Sequence, residues 1–178
     1  LLLSIYSCKN QPESEYFTLT IDQMEEFPIE KLITEIEFHP LDITDDYLIS
    51  DIDKIIKKDS IYYLLDKQVK SLFLFSDKGN PLAKYNKVGE AGDEYITIED
   101  FDMENGRIFL LCNPAKMFVL TDNLELEKTI SLDKSYDNLV SYKGDILLCN
   151  TYENRIDKLC LSNDKIETIW RGETMQGQ

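Results

Sequence analysis

The chain has 178 residues, with 19 Lys plus Arg against 34 Asp plus Glu and a net charge of -15. A field of that sign repels phosphate backbones, which argues against a nucleic-acid partner and leaves cations or basic surfaces open. No apolar run is long enough to span a bilayer, and the length suffices for one domain with a substantial core.

The first eight residues, Leu1-Leu2-Leu3-Ser4-Ile5-Tyr6-Ser7-Cys8, form an apolar run that ends in a small residue and a cysteine. The run resembles the lipobox of a bacterial lipoprotein signal, with Ile5 three residues before Cys8 and Ser7 directly before it; Tyr6 is bulkier than that pattern prefers. The resemblance implies that residues 1–8 are the end of a truncated signal, that Cys8 carries lipid, and that residues 9–15 are a polar tether. Acyl chains on Cys8 would anchor the protein at about 0.8 kcal/mol per buried methylene.

Residues 16–178 read as the folded domain. Phe17 to Ile21 and Leu32 to Phe38 read as strands; over Ile21 to Ile36, Met24, Phe27, Ile29, Leu32 and Ile36 offer a helical stripe that Pro28 cuts. From Ile61 onward one pattern recurs three times. Its first copy runs Ile61 to Asp66, then Ser71 to Phe75, the turn Ser76-Asp77-Lys78-Gly79-Asn80, and Leu82 to Tyr85. The second copy opens at Ile108 and turns at Asp122, and the third opens at Ile146 and turns at Asn163. The turns lie 45 and 41 residues apart and the opening isoleucines 47 and 38. A period of roughly 40–45 residues built of strands and hairpin turns matches one four-stranded antiparallel blade of a β-propeller. The first strand of each blade falls at Ile52 to Lys57, Thr97 to Met103 and Asn138 to Tyr142, giving three blades at about 48–87, 96–132 and 136–171.

Several features in order resemble the bacterial six-bladed β-propeller family related to NHL-type repeats, whose members often begin with a lipoprotein signal. They are Phe38-His39-Pro40-Leu41-Asp42, then Leu48-Ile49-Ser50-Asp51-Ile52, the strand end Tyr63-Leu64-Leu65-Asp66, and the turn Asp77-Lys78-Gly79. Between the first two blades stands Gly89-Glu90-Ala91-Gly92-Asp93-Glu94-Tyr95, where the family commonly has Gly-x-Gly-Pro-Gly-Glu-Tyr before an acidic strand; here the strand is Ile96 to Asp102. One glycine and the proline of that loop are missing, and Asp93 intervenes. The resemblance covers residues 36 to 170 and implies an all-β fold, a partial six-bladed propeller in this chain, and a structural inter-blade loop at Gly89, Gly92, Glu94 and Tyr95. The glycines would let the chain cross between blades through positive φ. Three blades leave a ring unclosed, so a protein of roughly twice this length is expected.

Candidates for chemistry are sparse. His39 is the single histidine and sits beside Pro40 at a strand end, and no Gly-x-Ser-x-Gly elbow is present. Asp42, Asp45 and Asp46, or Glu99, Asp100 and Asp102, could ligate calcium, but neither set has an EF-hand spacing, and solvated rim loops explain both. Tyr62, Tyr63, Tyr95, Tyr152 and Trp170 would stack on sugars if they lined one face. Cys112 and Cys149 end apolar runs as small core residues, and a disulfide between neighbouring strands is open to them in an oxidising compartment. No metal or other cofactor is implied. The chain therefore reads as a non-enzymatic binding or scaffold module of an envelope lipoprotein, with a protein or glycan ligand and membrane contact through the anchor only. The alternative is a propeller enzyme, a carbohydrate lyase or hydrolase, whose catalytic residues lie largely in other blades.

Overall fold

The middle strands of the first two repeats are near-continuous apolar runs, as strands buried on both faces must be, while those of the third alternate between buried and half-buried positions. The computed structural model describes residues 32–172. The chain divides into two units, Leu1–Glu37 and Phe38–Gln178. Of the first, residues 32–37 are described and form no strand, and Leu32 and Ile36 are exposed. Phe38 is exposed and outside any strand as well. The strand expected over Leu32 to Phe38 is therefore corrected: among the described residues its backbone pairs with no strand to build a ladder. Cys8 and Phe17 to Ile21 lie outside the described residues.

The second unit is three four-stranded antiparallel sheets, each a meander of sequence-adjacent strands. Blade 1 holds β1 (Lys54–Lys58), β2 (Ile61–Asp66), β3 (Ser71–Ser76) and β4 (Pro81–Tyr85). Blade 2 holds β5 (Thr97–Glu104), β6 (Arg107–Asn113), β7 (Lys116–Thr121) and β8 (Leu126–Ser131), and blade 3 holds β9 (Asn138–Tyr142), β10 (Asp145–Asn150), β11 (Arg155–Cys160) and β12 (Lys165–Arg171). Turns of two to four residues join the strands within a blade. Residues with positive φ close them: Asp59, Asn105 and Lys143 after each first strand, and Gly79, Leu124 and Asp164 before each fourth. Among these turn residues Gly79 has a packing reason to be glycine, since a Cβ there would run into the backbone oxygen of Pro40.

The blades stack face to face. In the first seam Tyr63, Leu65 and Leu74 of blade 1 meet Ile108, Leu110 and Phe118 of blade 2. In the second, Phe109, Leu111 and Met117 of blade 2 meet Ile146, Leu148 and Leu159 of blade 3. Each such buried side chain contributes roughly 1.5–3 kcal/mol, so the seams hold the blades together. Strands β5 and β9 run beside each other at the second seam.

Packing corrects one detail of the repeat. Ile61 shares its face with Tyr63 and points toward blade 2, whereas Ile108 shares its face with Leu110 and points back toward blade 1. The opening isoleucines are one residue out of phase, and one residue moves a side chain to the opposite face of the sheet. The positive-φ residues Asp59, Asn105 and Lys143 align the blades correctly, at spacings of 46 and 38, and place Ile61 with Arg107.

The other face of blade 1 is covered by the segment before it: Leu41, Tyr47 and Ile49 pack on Leu64, Phe73 and Phe75. The far face of blade 3 presents Val140, Leu147, Cys149 and Ile156 around an apolar hollow of about 180 Å³, with Trp170 opposite Ile156 and half exposed.

Candidate functional site

The inter-blade loop is built on Tyr95. Its ring is fully buried between Tyr85 and Phe118, with both ring centroids 6.2 Å away. Its hydroxyl donates to the Lys70 carbonyl at 2.9 Å and accepts the Lys87 N–H at 3.1 Å. Burial pushes the phenol well above its ordinary pKa, so it remains a donor. Glu94 folds back on the loop and accepts the Ala91 N–H at 2.9 Å, while Lys116 of blade 2 donates to the Glu94 carbonyl at 2.7 Å. These contacts tie the end of blade 1 to the start of blade 2. Gly89 and Gly92 do not use positive φ, contrary to the expectation for them. At Gly89 space matters instead: a Cβ would meet the Glu94 carboxylate, which would have to swing away from the Ala91 N–H, whereas at Gly92 a Cβ would meet nothing.

Glu99, Asp100 and Asp102 are not in a solvated rim loop but on β5. Asp100 is only 6% exposed. Its Oδ1 accepts Lys54 Nζ of blade 1 at 2.9 Å and the Phe101 N–H at 2.8 Å, and its Oδ2 accepts the Leu139 N–H of blade 3 at 3.0 Å. Asp102 Oδ2 takes the Ser141 N–H at 2.7 Å and the Ser141 hydroxyl at 2.8 Å. Two residues further, Glu104 Oε2 accepts the Gly144 N–H at 2.9 Å. Three carboxylates at alternate positions of one strand thus satisfy backbone donors of the next blade's innermost hairpin, which stabilises the second seam. Among the described residues no group of carboxylates, histidine and cysteines converges as a metal site.

Blade 3 carries a second buried polar network. Asp157 is fully buried. It accepts Arg155 Nε at 2.9 Å and the Tyr136 hydroxyl at 2.6 Å, with Arg155 Nη2 completing the fork. Arg155 also meets Glu153, which Lys134 holds at 3.0 Å. The network joins the connection after blade 2 to the β10–β11 hairpin.

The other sequence candidates are scattered. His39 is exposed, donates from Nδ1 to the Asp77 carbonyl at 3.2 Å and leans on Tyr62. Tyr63 and Tyr95 are core residues; Tyr152 is 95% exposed at a hairpin and Trp170 lies on β12, so the aromatics do not line one face. Cys112 is buried in the first seam, where burial pushes its thiol pKa up. Cys149 is half-buried on the far face of blade 3, so it is not the core residue expected. Both are free thiols in different blades, which rules out the disulfide between them.

What the sequence did not reveal is a cleft of about 410 Å³ at the hairpin end of the second seam. Phe109, Val119 and Ile130 of blade 2 and Leu161 of blade 3 form its apolar lining, with Arg107, Glu127 and Lys128 at its edge. A second hollow of about 270 Å³ shares Arg107, Phe109 and Leu161 and extends toward Glu104, Asn105, Gly144 and Ser162. The cause lies in two exchanges between the seams. Ile61 and Leu124, packed into the first seam, have Arg107 and Asp164 as their counterparts by turn position in blades 2 and 3. A charged side chain cannot fill an apolar gap without losing hydration, so both turn to ion pairs: Arg107 Nε to Glu127 at 2.8 Å, and Lys128 Nζ to Asp164 across the seam at 2.6 Å. The only trace in the sequence is the polar residue at each position, visible once the turns are aligned.

A family model described as a 6-bladed beta-propeller matches residues 7–169. No curated protein matches the chain in sequence. Among solved structures, a protein of Bacteroides fragilis described as exported superposes with a TM-score of 0.68 at 16% identity, over 78% of this chain and 43% of that one. Kuenenia stuttgartiensis hydrazine synthase superposes with a TM-score of 0.52 at 9% identity, over 71% of this chain and 38% of that one. At such identities the likeness is one of fold. The chain spans less than half the length of either structure.

Proposed function

The chain belongs to the family of 6-bladed β-propellers, and from that premise we propose that it is a non-enzymatic binding module of an exported bacterial envelope lipoprotein. The observation that carries the binding role is the cleft between blades 2 and 3, walled by side chains from both. It combines an apolar floor with a few polar groups at its mouth, which is the composition of ligand sites. The polar side chains that resemble catalytic groups are spent elsewhere: Asp100 and Asp102 hold backbone N–H groups, and Asp157 holds Arg155 and Tyr136.

A photoreactive phenylalanine analogue at Asn163, exposed in the turn beside the cleft, is expected to capture a partner in intact cell envelope, while the same residue at Asp59, in a blade 1 turn, is not. Equal capture at both positions, or turnover of an envelope glycan that depends on a described carboxylate, would reject the proposal.

Export and anchoring are supported by the lipobox-like run ending at Cys8 and by the fold shared with an exported protein. Among the described residues no helix is long and apolar enough to cross a membrane. Cells fed a labelled fatty acid should incorporate it into the protein, and Cys8→Ala should abolish incorporation and move the protein out of the membrane fraction. Label that persists in the variant would remove the anchor from the proposal.

A further inference from the structure

We propose that the cleft between blades 2 and 3 receives the C-terminal residue of a partner polypeptide, its carboxylate on Arg107 and its apolar side chain against Phe109, Val119 and Ile130. The proposal rests on the binding role assigned to this cleft and names its ligand chemistry.

The hydrogen-bonding capacity left over in the cleft selects the ligand. Its acids are already engaged: Glu127 holds Arg107 Nε, both Asp164 oxygens hold Lys128 Nζ, and Glu104 Oε2 caps the Gly144 N–H. Lys128 is engaged by the same pairing. The two terminal nitrogens of Arg107 remain, and neither has a partner among the described residues. They are parallel donors in the fixed geometry that matches a carboxylate bidentately. The Arg107 side chain is 57% exposed, so the donors are reachable. Next to them the lining is Phe109, Val119, Ile130 and Leu161. The cleft therefore asks for an anion and an apolar group a few ångströms apart.

The C-terminal residue of a polypeptide carries both on one Cα. An internal Asp or Glu carries only the carboxylate, and its apolar neighbour in an extended chain points to the opposite side. The volume of about 410 Å³ has room for one such residue. The adjoining hollow of about 270 Å³ meets the first at Arg107 and leads to Asn105 and Ser162; the Asn105 amide, and the capacity the Ser162 hydroxyl keeps beside its 3.1 Å contact with Cys160 Sγ, suit the backbone of the preceding residues. A small apolar acid would use the first hollow and leave the second empty.

The test is fluorescence anisotropy of the whole chain with a labelled hexapeptide ending in Ala-Leu, as the free acid and as the C-terminal amide, with N-acetyl-leucine as competitor. The free acid is expected to bind about tenfold or more tightly than the amide, since one charge-assisted bidentate contact is lost. Arg107→Gln should erase that difference, and Ser162→Trp, an exposed position at the smaller hollow, should weaken the hexapeptide while sparing N-acetyl-leucine. Circular dichroism melts check that both variants remain folded. Equal binding of acid and amide, lost in Ser162→Trp, would overturn the carboxylate assignment and leave the cleft a binding site. Competition by N-acetyl-leucine at the hexapeptide's own affinity would assign a small acid instead of a polypeptide. No binding of either peptide would overturn the inference, with the binding role still decided by capture from position 163.

Discussion

Asp157→Ala is expected to destabilise the protein by about 3–5 kcal/mol, the usual cost of removing one partner from a buried ion pair. Asp157 is fully buried, and its two oxygens take the Arg155 fork and the Tyr136 hydroxyl. Alanine strands all of these donors inside blade 3. Asp157→Asn keeps one acceptor oxygen and should cost less. Urea denaturation measures the difference, and a loss below about 1 kcal/mol, the level of an exposed pair, would show that the network does not stabilise blade 3. The same residue fixes a pH dependence. Burial raises its pKa, but the hydrogen bonds from Arg155, Tyr136 and Thr168 outweigh burial and hold it below the ordinary aspartate value. A depressed carboxyl contributes stability that is complete above the unfolded pKa, near 4, and is lost as pH falls through the folded value. Wild type should therefore lose stability below about pH 4 more steeply than Asp157→Asn; parallel acid limbs would contradict the assignment.

Tyr95→Ala is expected to cost about 3–5 kcal/mol, the range for truncating a buried aromatic. The ring fills the first seam between Tyr85 and Phe118. Its hydroxyl is the partner of the Lys87 N–H and the Lys70 carbonyl; alanine would orphan the first and leave the second with Asn86 Nδ2 alone, at 3.3 Å. Tyr95→Phe separates the two contributions: it keeps the ring and should cost about 1–2 kcal/mol, the price of unmaking those hydrogen bonds. Amide exchange at Lys87 should quicken in both variants, while only alanine should expose the seam to an apolar dye. Equal destabilisation by Phe and Ala would mean that the ring contributes nothing beyond its hydroxyl.

The architecture was legible because local patterns specify it. Runs such as Ser71 to Phe75 and Ile108 to Cys112 are too short for helices and too apolar for loops. Turn residues recur every 41 to 45 positions and punctuate them into blades. Asp77-Lys78-Gly79 was readable as a turn for a reason the structure supplies, the close approach of the Pro40 carbonyl to Gly79. Isoleucine was a poorer ruler than the turns. Ile61 and Ile108 look alike, yet they face opposite ways, because hydrophobicity is the same on both faces of a doubly buried strand.

The site was less legible. Glu99, Asp100 and Asp102 looked like solvated acids because composition does not tell which backbone N–H groups lack partners. Only the approach of β9 to β5 puts the Leu139 and Ser141 amides within reach of those carboxylates. Gly89 looked like a conformational hinge and proved to be a place kept clear for a carboxylate.

By itself the amino-acid sequence determined strands, turns and the count of blades, since these follow from alternation and turn chemistry within a few residues of each other. Tertiary structure alone decided how the faces meet. Whether a position is filled depends on what the neighbouring blade brings to it, and that neighbour is about 40 residues away. The first seam closes on Ile61 and Leu124, while the second stays open beside Arg107 and Asp164, because charged side chains keep their hydration and their ion pairs and do not fill an apolar gap.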